Sequence, residues 1–83
     1  MEAPNLELQR EFFGLRMQQL RYEKNLKLRT LQIYTRLTYG FLYRIEHGKQ
    51  SPSLDSMTKI FKVLGVTFDG FFHTKNFQQG KKY

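Results

Sequence analysis

The densest run of reactive side chains is Arg44-Ile45-Glu46-His47-Gly48-Lys49, where a carboxylate, an imidazole and two cations follow one another along the chain. A carboxylate beside a histidine invites a catalytic or metal-binding reading. The spacing argues against it. The one other histidine is His73, the two belong to different helix ends, and neither stands at a metal-ligand interval. The chain has no cysteine, so it offers no thiolate metal site and no disulfide framework. No glycine-rich phosphate loop or nucleophile motif appears. An exposed histidine near a helix end is more often a partner of the helix dipole than a catalyst. These residues predict a protein that is not an enzyme and has no cofactor and no metal.

Charge points elsewhere. Lysine and arginine number 14 against 7 aspartates and glutamates, a formal net charge of +7. Before Gly14, Glu2, Glu7 and Glu11 outnumber Arg10, so the positive excess lies in the rest of the chain. A basic domain suits a polyanionic partner, because neutralising phosphates releases counterions. A positive surplus can also do no more than keep a small protein soluble, so charge alone does not decide. The 83 residues suffice for one domain with a modest core and little room for a deep cleft. No apolar run approaches the ~18 residues of a membrane span, and Met1–Arg10 lacks the basic-then-apolar order of a signal peptide. The expectation is a cytoplasmic, nucleoid-associated protein with no membrane partner.

The chain breakers fall at intervals that suit short helices rather than strands. From Leu6 onward, Phe13, Met17 and Leu20 share one face of a first helix, which Asn25 stops by tolerating the left-handed conformation. Leu28, Leu31 and Thr35 trace a second helix. Thr38 offers a hydroxyl to cap a third, from about Tyr39 to His47, and Gly48 ends it. The connection of about two residues, Arg36 and Leu37, is the short turn of a helix-turn-helix. Ser53 can cap a fourth helix whose Leu54, Met57, Ile60, Phe61 and Leu64 share a face before Gly65. Thr67 can cap a last one carrying Phe68, Phe71 and Phe72. The expected organisation is an N-terminal arm at residues 1–5, a domain at 6–73 and a basic tail at 74–83. The apolar stripes are read as core.

This pattern resembles the lambda-repressor-like, or XRE, helix-turn-helix family across about Phe13 to Phe72. Gly14-Leu-Arg-Met-Gln-Gln-Leu-Arg21 is similar to the family's first helix and Leu37-Thr38 to its Val-Ser turn. Arg44-Ile-Glu-His-Gly48-Lys49 is similar to its Arg-Ile-Glu-x-Gly-Lys segment, and Ser51-Pro-Ser-Leu54 with Leu64-Gly65-Val66 completes the series. The resemblance implies an all-α, five-helix DNA-binding domain, usually dimeric, with the helix-turn-helix at helices two and three and the third helix in the major groove. It places base-reading positions at Tyr39, Gly40, Tyr43 and Arg44. Arg44 is the strongest of these, since a guanidinium can make two hydrogen bonds to guanine, although a phosphate contact is the other role open to it. Glu46 falls where the family has an acidic residue paired with a first-helix arginine, here Arg21, so the pair is expected to be structural.

Phosphate contacts are expected where helix N-termini point amides at an anion. Lys27, Arg29 and Thr30 open the second helix, Thr38 caps the third, and Lys49 and Gln50 follow it. Three departures lie in or beside the second helix: Lys27-Leu28 replaces a Ser-Gln start, Gln32 replaces a small alanine, and Arg36 replaces a glycine. They lead to the expectation of an altered helix angle and of DNA binding that is weak, dependent on dimerisation or lost. The function implied is a sequence-specific regulator, a small dimeric repressor or autoregulator reading a pseudo-palindromic operator, with Phe71, Phe72 and Phe77 at the dimer surface. The alternative is an antitoxin or adaptor-type interaction module whose basic face meets a regulatory protein partner.

Overall fold

In the computed structural model, which describes residues 5–73, the chain forms α1 (Leu6–Glu23), α2 (Leu28–Thr35), α3 (Tyr39–Glu46), α4 (Leu54–Leu64) and α5 (Phe68–Phe72). Among the described residues there is no strand. Four helices start on a residue whose side-chain oxygen accepts a hydrogen bond from an amide three positions on, which satisfies one of the first-turn donors. These caps are Asn5 to Leu8, Thr38 to Phe41, Ser53 to Ser56 and Thr67 to Gly70, at 2.9–3.1 Å. Left-handed backbone follows each of the first four helices, at Asn25, Arg36, Gly48 and Gly65. Residues 1–4 of the expected arm and the whole expected tail at 74–83, Phe77 included, lie outside the described residues; Asn5 is part of the α1 cap.

α3 packs on α1 and α2, α2 also packs on α4, and α5 closes against α4. Met17, Leu31, Leu42, Ile45, Ile60, Leu64 and Phe71 are fully buried, with Phe13, Leu20, Leu28 and Phe61 around them. The Phe71 ring stacks on Phe61 with centroids 4.4 Å apart and lies 4.6 Å from Phe13. Two expectations are corrected here. Leu54 shares the helical phase of the core face of α4 but is 68% exposed, because it starts the helix and nothing packs over that end. Phe71 is not a dimer-surface residue, since a ring enclosed by Phe13 and Phe61 has no face left to offer.

The contact between α1 and α3 is unusually close. A Cβ built on Gly14 would lie 2.3 Å from the Glu46 carbonyl oxygen and 2.8 Å from that of Ile45, so only glycine lets α1 cross the end of α3 there. One turn later Gln18 Nε2 donates to the Glu46 carbonyl at 3.0 Å. The next turn carries Arg21, whose Nε and Nη2 donate to the two carboxylate oxygens of Glu46 at 2.6 and 3.0 Å. Arg21 Nη1 donates to the Leu26 carbonyl at 2.8 Å, so one guanidinium joins α1, the α1–α2 loop and α3. The hydrogen bond to Glu46 raises the arginine pKa above its ordinary value, outweighing the opposing effect of burial. At the other side of α1, Arg16 donates to the Phe71 and Gly70 carbonyls and holds the end of α5.

Two substitutions test this junction. Removing one partner of a buried ion pair strands the other charge, so Glu46→Ala is expected to cost about 3–5 kcal/mol in urea denaturation. An unchanged unfolding midpoint would remove the structural role. Gly14→Ala is expected to cost about 1–3 kcal/mol in the same assay, because the added methyl meets main chain rather than a movable side chain.

Candidate nucleic-acid interface

α3 has two faces set by its 3.6-residue period. Leu42, Ile45 and Glu46 are buried against α1 and α2, which turns Tyr39, Gly40, Tyr43 and Arg44 outward as two adjacent pairs one turn apart. All four are exposed. The residues singled out on the third helix therefore form a continuous strip, and the buried Glu46 is not part of it.

Each end of the strip is braced by a neighbouring segment. At the start of α3 the guanidinium of Arg29, from the first turn of α2, lies 5.7 Å from the Tyr39 ring centroid, within cation–π range. At the far end Arg44 Nε donates to Gln50 Oε1 at 2.7 Å, across the α3–α4 loop. Tyr43 stacks on His47 with centroids 3.9 Å apart, and His47 Nδ1 lies 2.9 Å from the Tyr43 carbonyl oxygen. Periodicity gave no sign of this stack, although an aromatic four residues before a histidine on an exposed helix face is a spacing that permits it.

The expected anion-contacting residues fall into two clusters. Lys27 and Arg29 are exposed at the start of α2, with Thr30 half-buried beside them. Lys27 makes no side-chain capping bond, as its replacement of a serine implies. The second cluster is Lys49 and Gln50. The backbone amides of Gly48 and Lys49 donate to the Ile45 and Arg44 carbonyls, so the chain folds back over the end of α3 and carries both side chains beside it. Ser51 is engaged by Arg10 Nε at 2.8 Å, a bond from α1 that the sequence did not suggest. No hydrogen bond or ion pair among the described residues joins the two clusters. Thr38, between them, uses its hydroxyl oxygen to cap α3.

Of the three departures, Leu28 is buried in the core. Gln32 is half-buried. Arg36 takes the left-handed angle, φ 63°, that a glycine would adopt without strain. The turn is held by Thr35, whose buried hydroxyl donates to the Leu31 carbonyl at 2.6 Å and accepts from the Leu37 amide at 3.2 Å.

Among the described residues no group of histidines, cysteines and carboxylates could hold a metal, and no helix is long and apolar enough to cross a membrane. A family model described as helix-turn-helix matches residues 17–71. The HTH-type transcriptional regulator PuuR of Escherichia coli (strain K12) is 30% identical over 59 residues, covering 71% of this chain and 32% of that protein. The chain thus spans about a third of the length of the curated relatives it matches. Among solved structures, the restriction-modification controller protein C.AhdI from Aeromonas hydrophila superposes with a TM-score of 0.73 and 26% identity, over 77% of this chain and 97% of that one. The clp gene regulator ClgR from Corynebacterium glutamicum gives 0.78 at 23% identity, over 95% and 79%, a likeness of fold. The chain belongs to the helix-turn-helix family of DNA-binding regulators, in its lambda-repressor-like, five-helix form.

Proposed function

We propose that this domain is a sequence-specific transcriptional regulator that lays α3 in the major groove of double-stranded DNA. The observation that carries the reading is the strip of Tyr39, Gly40, Tyr43 and Arg44, exposed along one face of a helix whose last turn is locked by a buried ion pair. Arg44 is assigned to a guanine edge, where a bidentate contact gives about 1–3 kcal/mol of discrimination. Tyr39 and Tyr43 offer hydroxyls to bases or phosphates and ring faces to thymine methyl groups. Gly40 permits close approach at the start of the helix.

Lys27, Arg29, Thr30, Thr38 and Lys49 are assigned to the phosphates on either side of the groove. They set register and affinity rather than sequence. PuuR, C.AhdI and ClgR are named as a transcriptional regulator, a controller protein and a gene regulator, which supports a regulatory role for this chain. A small homodimeric repressor or autoregulator, acting in the cytoplasm on nucleoid DNA, accommodates these features. Two copies of α3 spaced about 34–36 Å apart would read a pseudo-palindromic operator.

Selection from randomised duplexes at two salt concentrations tests the assignment. A two-fold symmetric motif is expected, with Arg44→Ala relaxing one position in each half-site. Binding that is uniform across sequences and vanishes with salt would sink it, and would turn attention to a protein partner. Sedimentation equilibrium tests the dimer separately: a concentration-dependent mass is expected, and a monomer up to high micromolar would count against it.

A further inference from the structure

We infer that Gly40, Arg44 and Gln50 act as one reading unit, in which Gln50 sets sequence specificity by positioning Arg44 rather than by touching DNA. The inference rests on the DNA-reading role of α3 proposed above. Two observations carry it. Arg44 Nε donates to Gln50 Oε1 at 2.7 Å, so the guanidinium is held from the loop that follows the helix. A Cβ added to Gly40 would lie 3.3 Å from Arg44 Nη1, so the guanidinium lies back along α3 over the bare backbone one turn earlier.

The consequence is geometric. A guanidinium can meet the two acceptors of a guanine edge side-on, through Nε and one Nη, or end-on, through Nη1 and Nη2. With Nε committed to Gln50, the end-on mode is the one left, and both terminal nitrogens are free for it. Arg44 makes no ion pair among the described residues, so no carboxylate competes for those nitrogens. A long side chain ordered before DNA arrives also loses less conformational freedom on binding. Gly40 contributes by its missing side chain: a Cβ there would press on Nη1 and shift the fork by a few tenths of an ångström from its resting place.

The expectation that Gln50 is a phosphate contact predicts something different. A phosphate contact sets affinity for all sequences alike, whereas a positioning residue changes the preference at the single base that Arg44 faces. Gln50→Ala, Gly40→Ala, Arg44→Ala and the Arg44→Ala/Gln50→Ala double variant of the full chain would be assayed by competition binding. The probes are the selected duplex, its single-base variants and one unrelated duplex. Gln50→Ala is expected to lower discrimination at the Arg44 base about threefold to tenfold, with less than a twofold change on the unrelated duplex. Added to Arg44→Ala, it should lower discrimination no further. Gly40→Ala is expected to lose discrimination at the same base while its melting temperature holds or rises, since alanine favours an exposed helix. Equal weakening by Gln50→Ala on every duplex, or full discrimination in both Gln50→Ala and Gly40→Ala, overturns the inference and leaves the function proposed above intact. A wild-type chain that enriches no motif overturns both.

Discussion

Glu46 sits on the last turn of α3 with almost none of its surface in water, and a carboxylate in that position is tolerable only because Arg21 meets both of its oxygens. The same guanidinium spends its remaining reach on the Leu26 carbonyl, and Glu46's own carbonyl receives Gln18 and lies against Gly14. α1 is therefore keyed to the end of α3 by three successive turns: a glycine that permits contact, an amide that bonds the main chain, and a charge that must be matched. Burial of a mismatched charge is strongly unfavourable, so this junction admits one register. With α3 fixed at its C-terminal end, its exposed face is fixed as well.

The outer face of α3 inherits that order. A helix of two turns has little stability of its own. Its position comes from packing beneath and bracing at the sides: Leu42 and Ile45 below, the Arg29–Tyr39 contact at one end, and the Arg44–Gln50 bond at the other. The α2–α3 turn is held by Thr35 rather than by the backbone freedom of a glycine. Arg36 accepts the left-handed angle because the hydroxyl of Thr35 fastens the amide of Leu37 immediately after it. The strain of a side chain in that conformation is thus offset within three residues.

The basic character of the chain takes on meaning in this frame. Lys27, Arg29 and Lys49 stand at two places along α3, one before its start and one after its end, with the aromatic-rich strip that carries Arg44 between them. Cations at the edges and hydrogen-bonding groups in the middle is the division of labour expected of a major-groove reader. The charge total could not show this division, because the same +7 spread evenly would suit a solvated surface equally well.

Several features were legible in the amino-acid order itself. Caps at Thr38, Ser53 and Thr67, the stops at Asn25, Gly48 and Gly65, and the periodic apolar residues of α1 and α2 are local, so their physics is written in adjacent residues. The outward strip of α3 and the Arg21–Glu46 pair were accessible through a motif resemblance, which stands in for contacts the chain makes over long sequence separations. What only the tertiary structure decided is what faces what. Leu54 and Ile60 look alike in periodicity, but one is exposed and the other buried, according to whether a neighbouring helix lies opposite. Phe71 fits an apolar core stripe and a dimer surface equally well until Phe13 and Phe61 close around it. Arg16, Gln18 and Arg10 read as solvated polar residues, yet each bonds a segment 28 to 55 residues away. Gly14 carries no turn signal at all; its necessity comes from another helix arriving within van der Waals distance, which no local pattern encodes.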